Sequence, residues 1–340
     1  MVSITELRRP AELCAFRGAW SDLWQRCPNA TPFSSPEWLL PWTRHLYGGG
    51  EIWSLAAWDG GRLTGFAPLF LHGAARKQIS FLGAGVTDYL DFLLEGAMDG
   101  QTSKAAAEAL CNFILRSAGG WDRCELVDIP PDSVLLAVDF PAARLPSSIC
   151  PVVELPSSIA ALEAKLSPKF RHNLRNSMNR ARDAGIEFAM PAPGEDSEFL
   201  EALFRLHEAR WQSRGETGVL ASAEIQDFLR EALSGFGDRG WLRFAGLRHL
   251  GVLHAVVCIF CARRRWLYYL GGFDEHLARF GPGNLLLRFA MEQAIEEGAR
   301  EFDFLRNGEA YKYRWGAKDR VSTRLVLPPE NSAESSALVR

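Results

Sequence analysis

The stretch from Arg264 to Trp315 constrains the fold of this chain more than any other part of the sequence. It begins with an aromatic-rich segment over 265–273 that alternates like a strand and ends on glycines, followed by a loop over 274–284. Apolar residues then recur at helical spacing over 285–297, and Gly298 is a stop signal for that helix. The stretch is therefore predicted to form strand, glycine loop, helix, a second strand over 300–305 and a short aromatic and basic tail.

The loop before the helix is suited to an anion. Gly281 and Gly283 lack a Cβ, so the backbone can turn sharply and approach a ligand closely, and Pro282 stiffens the turn. The first helical turn offers unpaired N–H groups at the positive end of the helix dipole, which favours a phosphate or diphosphate. Arg279 stands close enough to add a formal charge. On the glycines alone, an ordinary turn before a helix is the alternative interpretation.

Several short motifs resemble one superfamily. They are Arg-Phe-Gly-Pro-Gly-Asn at 279–284, Phe-Asp-Phe-Leu at 302–305, Tyr-Lys-x-x-Trp-Gly at 311–316 and Leu-His-x-x-Arg-Trp at 206–211. Together they resemble the GNAT acyltransferases, and more narrowly the branch with the cellulose-biosynthesis-type acetyltransferases and the Fem peptidoglycan aminoacyltransferases. The resemblance is strongest toward the C-terminus and thinner over 33–42 and 81–94.

The resemblance implies that the loop holds the diphosphate of an acyl-CoA donor, acetyl-CoA in particular, and it implies no metal. The superfamily pattern is Gln or Arg, two residues, Gly, one residue, then Gly or Ala. Gly281 and Gly283 fall on its glycine positions, Ala278 falls on its leading position, and the arginine comes one place later. The residues expected to bind the donor are Arg279, Phe280, Gly281, Pro282, Gly283, Asn284, Leu285 and Lys312.

The chemistry of the resembling enzymes suggests two catalytic residues. Acyl transfer to an amine needs a polarised thioester carbonyl, an exit for the ammonium proton and a proton for the thiolate. GNAT enzymes polarise the carbonyl with backbone N–H groups where two strands splay apart, so no nucleophilic side chain is required. Tyr311 falls where they place a tyrosine that protonates the thiolate, with packing as the alternative. Asp303 is interpreted as a base or amine anchor, or as a salt-bridge partner of Lys312 or Arg314.

Residues for the acceptor are predicted less directly. The candidates for an acceptor groove are Asp88, Asp91, Arg210, Trp211 and Arg214. A basic amphipathic helix is predicted over 166–184, with no acidic residue between 165 and 182. Its charged face is either simply solvated or contacts a phosphate-bearing acceptor, such as a nucleotide sugar, a lipid-linked sugar or a tRNA acceptor stem. His254, in an apolar strand, is interpreted as a core histidine with a hydrogen-bond partner, and the alternative is a base.

Composition narrows the class of protein. A net charge of −3 argues against extended nucleic-acid binding. The N-terminus lacks the apolar segment of a signal peptide, and the longest apolar run, 252–262, is too short to cross a bilayer, so a cytoplasmic protein without a transmembrane segment is expected. Seven scattered cysteines indicate reduced thiols, and Cys258 and Cys261 are interpreted as buried small residues.

The 340 residues allow two lobes. Similar hairpin patterns at 52–71 and 241–262, together with the two-lobed build of Fem-type proteins, predict an α/β (α+β) fold of two tandem GNAT-like lobes. Each lobe is expected to have a mixed, mostly antiparallel sheet flanked by helices. The predicted boundaries are 1–150, 151–328 and a frayed tail over 329–340, with the Pro/Ser-rich stretch 141–156 as the least structured region.

We therefore expect an acyl-CoA-dependent N-acyltransferase that acts by direct transfer on an amine of a sugar or of a cell-envelope or exopolysaccharide precursor. The acceptor would be a small molecule or a lipid-linked sugar. Two alternatives remain open at the level of sequence. One is an aminoacyl-tRNA-dependent, Fem-type peptidoglycan ligase, and the other is a non-catalytic GNAT-like scaffold of a polysaccharide-synthesis complex.

Overall fold

A computed structural model describes residues 2–96, 100–192, 194–212 and 218–328, with the side chains at 210–212 and 219 outside that description. The chain divides into two compact units: residues up to Ser148 together with the segment from Val321, and Ile149–Arg320. The C-terminal lobe was expected to span 151–328, but the segment from Val321 belongs to the first unit because its strand pairs with a strand of that unit. The predicted tail over 329–340 lies outside the described residues.

The elements follow one another in chain order. The first unit contains β1 (Ser3–Leu7), α1 (Pro10–Arg26), α2 (Pro36–His45), β2 (Glu51–Ile52), β3 (Ser54–Asp59), β4 (Arg62–Ala67), β5 (Leu69–His72), β6 (Gln78–Phe81), β7 (Leu93–Leu94), α3 (Gln101–Arg116) and β8 (Arg123–Ile129). Strand β9 (Ala143–Glu154) leads into the second unit. That unit contains α4 (Ile159–Lys165), α5 (Pro168–Asp183), β10 (Glu187–Ala189), α6 (Asp196–Gln212), α7 (Ala223–Asp238), β11 (Leu242–His249), β12 (Val252–Ala262), β13 (Arg265–Phe273), α8 (Pro282–Glu296), β14 (Glu301–Asp303) and α9 (Ala310–Tyr313), and β15 (Lys318–Leu327) returns to the first.

The first unit contains two sets of strands. One has the order β1-β3-β4-β7 and the other the order β15-β8-β6-β5-β2. The β6–β8 pair is parallel, with α3 between the two strands in the chain, and the other pairs are antiparallel. Leu110 and Ile114 of α3 share a core with Leu126 and Ile129 of β8, so the apolar stripe of the helix covers the strand that it precedes.

The second unit is built on strands in the order β10-β11-β12-β13-β14-β9. Pairing is antiparallel except for β13 and β14, which are parallel and joined by α8. Alternation along β12 sets the two faces: Val257 and Ile259 share a core with α8, whereas Phe260 packs on Phe236 of α7. The predicted fold class, two lobes with mixed, mostly antiparallel sheets flanked by helices, is confirmed.

The stretch 141–156, predicted as the least structured region, is a strand over most of its length. Val152, Val153 and Glu154 pair with β14, and the carbonyl of Pro151 accepts a hydrogen bond from the N–H of Phe304 at 2.9 Å. A proline lacks an N–H but keeps its carbonyl, so it is tolerated in a strand where the neighbour needs an acceptor. Proline and serine content was therefore a misleading signal here.

Other element boundaries also differ from the prediction. The strand expected over 63–71 is interrupted at Pro68, the one expected over 52–58 at Trp53, and the one expected over 90–94 is reduced to β7. In the second unit the helix begins at Pro282 rather than at 285, because a proline with its fixed φ suits the first helical position.

Candidate active site

The site is built on an irregularity in strand β13. Cys258 pairs with Leu270 and Ile259 pairs with Tyr268, so Tyr269 is left over as a bulge. A bulge bends its strand and re-aims the side chains beside it. Gly271 and Gly272 follow after Leu270, and a Cβ on Gly271 would meet the hydroxyl of Tyr268 at 2.5 Å. A side chain at position 271 would therefore displace the tyrosine, which lies across the strand.

Strands β13 and β14 part from each other after a short parallel contact. Residues 265–267 pair with 301–303, and β13 then continues to Phe273 whereas β14 ends. The predicted strand over 300–305 is shorter than expected because Leu305 has a φ of 56° and its N–H donates to the carboxylate of Asp303 at 2.8 Å. The separation leaves a gap on the side of β13 that faces away from β12. In this gap the backbone groups of β13 have no neighbouring strand.

The glycine loop lies at the end of this gap. A 3-10 turn over Glu275–Phe280 leads to Gly281, which has the left-handed conformation (φ 66°, ψ 52°) and precedes the first turn of α8. Glycine adopts this conformation without the steric cost of a side chain. A Cβ on Gly283 would meet no atom within 4 Å. The loop is therefore open on the side where a ligand would approach the first helical turn.

Together these elements enclose a cleft of about 290 Å³. Tyr268, Gly271 and Gly272 line it from β13, residues 281–284 line it from the loop, and Tyr311 lines it from α9. Ala278, at the leading position of the superfamily pattern, also lines it. The structure thus brings Gly281, Pro282, Gly283, Asn284 and Tyr311, all predicted from sequence, to one cavity.

Two tyrosines are the polar side chains of this cleft that can exchange a proton. Tyr311 is half-buried in α9 and meets Phe304 edge-on, with ring centroids 6.1 Å apart. Tyr268 meets the same phenylalanine edge-on at 6.1 Å. Phe304 therefore orients both rings, and the packing interpretation of Tyr311 and its proposed proton-transfer role are compatible.

Asp303 is not placed to act on an acceptor. It is fully buried, its Oδ2 accepts from Arg320 at 3.1 Å, and its Oδ1 accepts from the N–H of Leu305. The carboxylate is thus held by a charged partner and by the backbone, and it does not line the cleft. The expectation of a catalytic base is wrong, and the salt-bridge alternative holds with Arg320 as partner instead of Lys312 or Arg314.

Lys312 has a structural role instead of the expected phosphate contact. Its Nζ donates to the carbonyls of Phe304, Arg306 and Asn307 at 2.7 to 3.0 Å, lies 3.4 Å from that of Leu305, and pairs with Glu309 at 2.8 Å. The side chain is buried, and an ammonium group has three protons to donate. Its donors are used to hold the segment between β14 and α9, so the sequence assignment to a donor phosphate is corrected.

Of the other residues that were predicted to bind the donor, two lie in the core and one lies on the surface. Phe280 and Leu285 are buried in the core of the second unit and therefore support the loop from behind. Arg279 is exposed, and its guanidinium lies 4.8 Å from the centroid of the Phe280 ring. It does not line the cleft, so the extra charge expected from Arg279 is not brought to the loop opening.

The acceptor candidates are not brought together. Asp88 and Asp91 belong to the first unit, where Asp88 is buried. Asp91 accepts from the hydroxyl of Ser133 at 2.7 Å and from the N–H of Phe92 at 2.8 Å, and burial raises its pKa to about 7. Arg210 and Trp211 lie in α6 of the second unit without described side chains, and Arg214 lies outside the described residues.

His254 lies on strand β12 and is hydrogen-bonded. Its Nδ1 lies 3.2 Å from the carboxylate of Asp274, which also accepts from the ring and the N–H of His276. Burial alone would raise the pKa of Asp274, but the hydrogen bonds from His276 and His254 outweigh it and hold that pKa at about 2. His254 therefore has a hydrogen-bond partner, as predicted, but it is half-buried and not part of the core.

The basic helix predicted over 166–184 is α5, and it packs against the 3-10 turn and α8. Leu174 and Ala181 are its buried residues, and Ser167 caps its N-terminus by accepting from the N–H of Phe170. Ser177 points toward the glycine loop, with its Oγ 3.8 Å from the position that a Cβ on Gly281 would occupy. The helix is therefore a neighbour of the glycine loop.

Sequence reasoning missed Tyr268, Gly271, Gly272 and Ser177 as residues of the site. Two adjacent glycines inside a strand were a usable signal, because they suggest a bulge or a close approach of another group. For Tyr268 and Ser177 no local pattern distinguishes these positions from neighbouring ones. They become visible when the bulge and the helix packing are known.

Comparison with known proteins supports this geometry. Residues 168–313, from α5 to α9, match the family described as "Acetyltransferase (GNAT) domain". This chain contains a GNAT acetyltransferase domain. The match includes the strand, loop, helix and strand that form the cleft, and it makes the chain an enzyme of the acyltransferase class. The comparison with curated proteins finds no match.

Solved structures share the fold around this GNAT domain. The structure of FemX has 12% sequence identity and a TM-score of 0.66, covering 91% of this chain and 95% of that chain. The C-terminal domain of a putative lysylphosphatidylglycerol synthetase from Agrobacterium fabrum has 16% identity and a TM-score of 0.62, covering 95% and 93%. L-PGS from Bacillus licheniformis has 13% identity and a TM-score of 0.60, covering 91% and 90%. At these identities the similarity shows the fold alone.

Two further observations concern the described part of the chain. Within it, no helix combines the length and the apolar character needed to cross a membrane. Nor does it contain a group of three or more histidine, cysteine, aspartate or glutamate side chains placed to hold a metal ion.

Proposed function

We propose that the second unit catalyses acyl transfer from an acyl-CoA, with acetyl-CoA as the donor, to an amine. The observation that carries this proposal is the cleft between β13 and α8, which is open at Gly283 and continues past the point where β13 and β14 part. A volume of about 290 Å³ suits a narrow chain such as the pantetheine arm of CoA more than a bulky ring system.

The donor diphosphate would be held by the loop residues Gly281, Gly283 and Asn284. The first turn of α8 supplies N–H groups and the positive end of a helix dipole, which together favour an anion. A side chain at Gly283 would occupy the approach of the diphosphate. Pro282 keeps the turn in place, and Phe280 and Leu285 anchor it in the core.

The reaction would proceed by direct attack of the acceptor amine on the thioester carbonyl. The backbone of β13 past the bulge, freed from pairing with β14, would donate N–H groups to the carbonyl oxygen as negative charge develops. The attacking nitrogen loses one proton to solvent, and when the tetrahedral intermediate collapses, the C–S bond breaks and the thiolate takes a proton from the hydroxyl of Tyr311. The amide product and free CoA then leave, and Tyr311 regains a proton from solvent.

The acceptor class remains an amine of a sugar or of a cell-envelope or exopolysaccharide precursor, as a free molecule or a lipid-linked sugar. The sequence resemblance to the cellulose-biosynthesis-type branch supports this choice. The named lysylphosphatidylglycerol synthetases with a similar fold are consistent with an acceptor that carries a lipid. A cytoplasmic location is part of the same proposal.

The aminoacyl-tRNA-dependent alternative is favoured by one observation. The fold similarity to FemX covers 91% of this chain and therefore includes both units. In that case the cleft would accept an aminoacyl group carried by RNA instead of an acyl group carried by pantetheine.

Calorimetry with acetyl-CoA separates these proposals. Binding with 1:1 stoichiometry is expected for a CoA-dependent enzyme, whereas a tRNA-dependent ligase or a scaffold should bind none. A subsequent screen of amino sugars and their nucleotide-linked forms, with free-thiol release as the readout, should then identify the acceptor. Absence of CoA binding by the folded protein would contradict the proposed donor.

A further inference from the structure

The loop that is proposed to bind a diphosphate has no positively charged side chain of its own at the cleft. Arg279 lies against the ring of Phe280 and does not line the cleft, and Lys312 is engaged with backbone carbonyls. In the described part of the chain, no lysine or arginine lines the cleft. The helix dipole provides only a partial charge, about half an elementary charge at the N-terminus. A diphosphate with two negative charges would be poorly compensated by that alone.

Helix α5 supplies a cation that is linked to the glycine loop through a serine side chain. Ser177 is half-buried and its Oγ lies next to Gly281, as described above. The guanidinium of Arg180 donates to the same Oγ, with Nη2 at 3.3 Å. The serine therefore holds the arginine along the side of the helix that faces the loop, although Arg180 itself is exposed to solvent.

The charge of Arg180 is not neutralised within the described part of the chain. No acidic residue occurs between 165 and 182, and Arg180 forms no ion pair there with a carboxylate. By contrast, Arg182 pairs with Asp183 at 3.0 Å. An exposed, unneutralised guanidinium has donors left over for phosphate oxygens, to which arginine can bind with two parallel N–H groups.

We propose that Ser177 and Arg180 of α5 complete the donor site and bind the diphosphate of CoA. This inference rests on the proposed function and extends it, because it makes α5 part of the donor site instead of an acceptor surface. The family match begins at the first residue of α5, which agrees with a helix that belongs to the domain. Ser177 orients Arg180 and closes the side of the loop at Gly281.

The test compares Arg180→Gln with the matched control Arg175→Gln. Both variants remove one exposed positive charge from α5, but the two positions are about 140° apart around the helix axis. Calorimetry is run with CoA, with dephospho-CoA, which keeps the diphosphate but lacks the 3′-phosphate, and with pantetheine, which lacks both. Melting temperatures establish that the variants are folded, as expected for substitutions at exposed positions.

Arg180→Gln should weaken CoA and dephospho-CoA about tenfold or more, as a lost charge-assisted hydrogen bond predicts, and leave pantetheine unchanged. Arg175→Gln should stay within about twofold of wild type, because exposed charges at a distance are screened. Equal CoA affinity of wild type and Arg180→Gln would overturn this inference and leave the proposed function standing. A loss confined to CoA and absent with dephospho-CoA would also overturn it, since Arg180 would then bind the 3′-phosphate. If the wild-type protein binds no CoA, both proposals fail, and weakened binding of aminoacyl-tRNA by Arg180→Gln would reassign the cation to RNA.

Discussion

The two units contain the same arrangement of a parallel strand pair joined through a helix, β6–α3–β8 in the first and β13–α8–β14 in the second. Each also contains a glycine-rich loop near its pair. A Cβ on Gly83 of the first unit would meet side-chain atoms of Leu39 and Thr87 at 2.7 and 2.8 Å, whereas a Cβ on Gly85 of the same loop, like one on Gly283, would meet nothing within 4 Å. The first loop is therefore packed against protein at its first glycine, and the second loop is open at Gly283.

Cavity volumes agree with this difference. The cavity lined by Tyr89, Asp91 and Pro130, at the end of β8, has about 30 Å³, and the cleft of the second unit has about 290 Å³. The smaller volume is on the scale of a water molecule, and the larger is close to that of small ligand pockets. The same strand–helix–strand arrangement is thus filled by side chains beside β8 and leaves an open cleft beside β13, which supports the proposal that the reaction takes place in the second unit.

The largest effect is expected from Gly283→Val. The new side chain would occupy the open space beside the first turn of α8, so kcat/KM for acetyl-CoA should fall at least about 100-fold, or about 2.7 kcal/mol. The melting temperature should hardly change, because no protein atom is displaced. Gly18→Val is the control, since a Cβ there also points into open space but in α1 of the first unit. Unchanged acetyl-CoA kinetics in Gly283→Val would show that the loop is not the donor site.

Tyr311→Phe tests the chemical step within the open unit. Loss of the hydroxyl removes the proton for the thiolate, so kcat should fall by about 10² or more, the scale of general acid catalysis. Affinity for acetyl-CoA should remain within about twofold, because the ring still packs on Phe304. Tyr313→Phe is the matched control: that hydroxyl is exposed on the same short helix and donates to Asp319. Equal turnover of Tyr311→Phe and wild type would remove Tyr311 from catalysis.

Gly83→Ala tests the packed loop of the first unit, and its effect should be on stability. The methyl group would overlap Leu39 and Thr87, and the backbone at φ 88° disfavours any side chain. Chemical denaturation should show a loss of about 2 kcal/mol or more in the free energy of unfolding. The folded fraction should bind acetyl-CoA with wild-type affinity. A specific loss of affinity without a loss of stability would mean that the first unit also contributes to donor binding.

The smallest effect concerns the pH dependence of stability in the first unit. Burial raises the pKa of Asp91 to about 7 from its usual 3.8, so the folded state binds this proton more tightly than the unfolded state. The corresponding stability is fully present below about pH 4 and is lost as the pH rises through 7. Asp91→Asn keeps an oxygen for Ser133 and Phe92, and its melting temperature should rise relative to wild type between pH 5 and pH 8. Asp139→Asn, at an exposed position, should differ from wild type in melting temperature by the same amount at every pH. If Asp91→Asn also showed a pH-independent difference, the carboxylate of Asp91 would not be the source of the pH dependence.

The sequence predicted those parts of the fold that local periodicity determines. The range 252–262 coincides with β12 and 123–129 with β8, because the first is an apolar run with several β-branched residues and the second largely alternates polar and apolar residues, and both patterns are typical of strands. The glycine loop was also recognised, since Gly281 and Pro282 occupy positions whose backbone conformations favour these residues. β9 was missed because the tolerance of a strand for Pro151 depends on which backbone group its neighbour needs.

Polar side chains of the site were harder to predict, because their roles depend on residues distant in sequence. Asp303 is paired with Arg320, seventeen positions away, and Lys312 turns inward to carbonyls of the preceding segment. Neither partner is visible as a motif. The tyrosine at 311 was located by resemblance, and the structure adds Tyr268 because the bulge at Tyr269 turns that ring across Gly271.

Hydrogen exchange followed by mass spectrometry, with and without acetyl-CoA, tests the central difference between the two units most directly. Binding in the open cleft should slow exchange in peptides covering 268–273 and 281–287, and leave peptides covering 81–94 unchanged. Protection in 81–94, or saturating acetyl-CoA without protection around the second loop, would contradict the assignment of the donor site to the second unit.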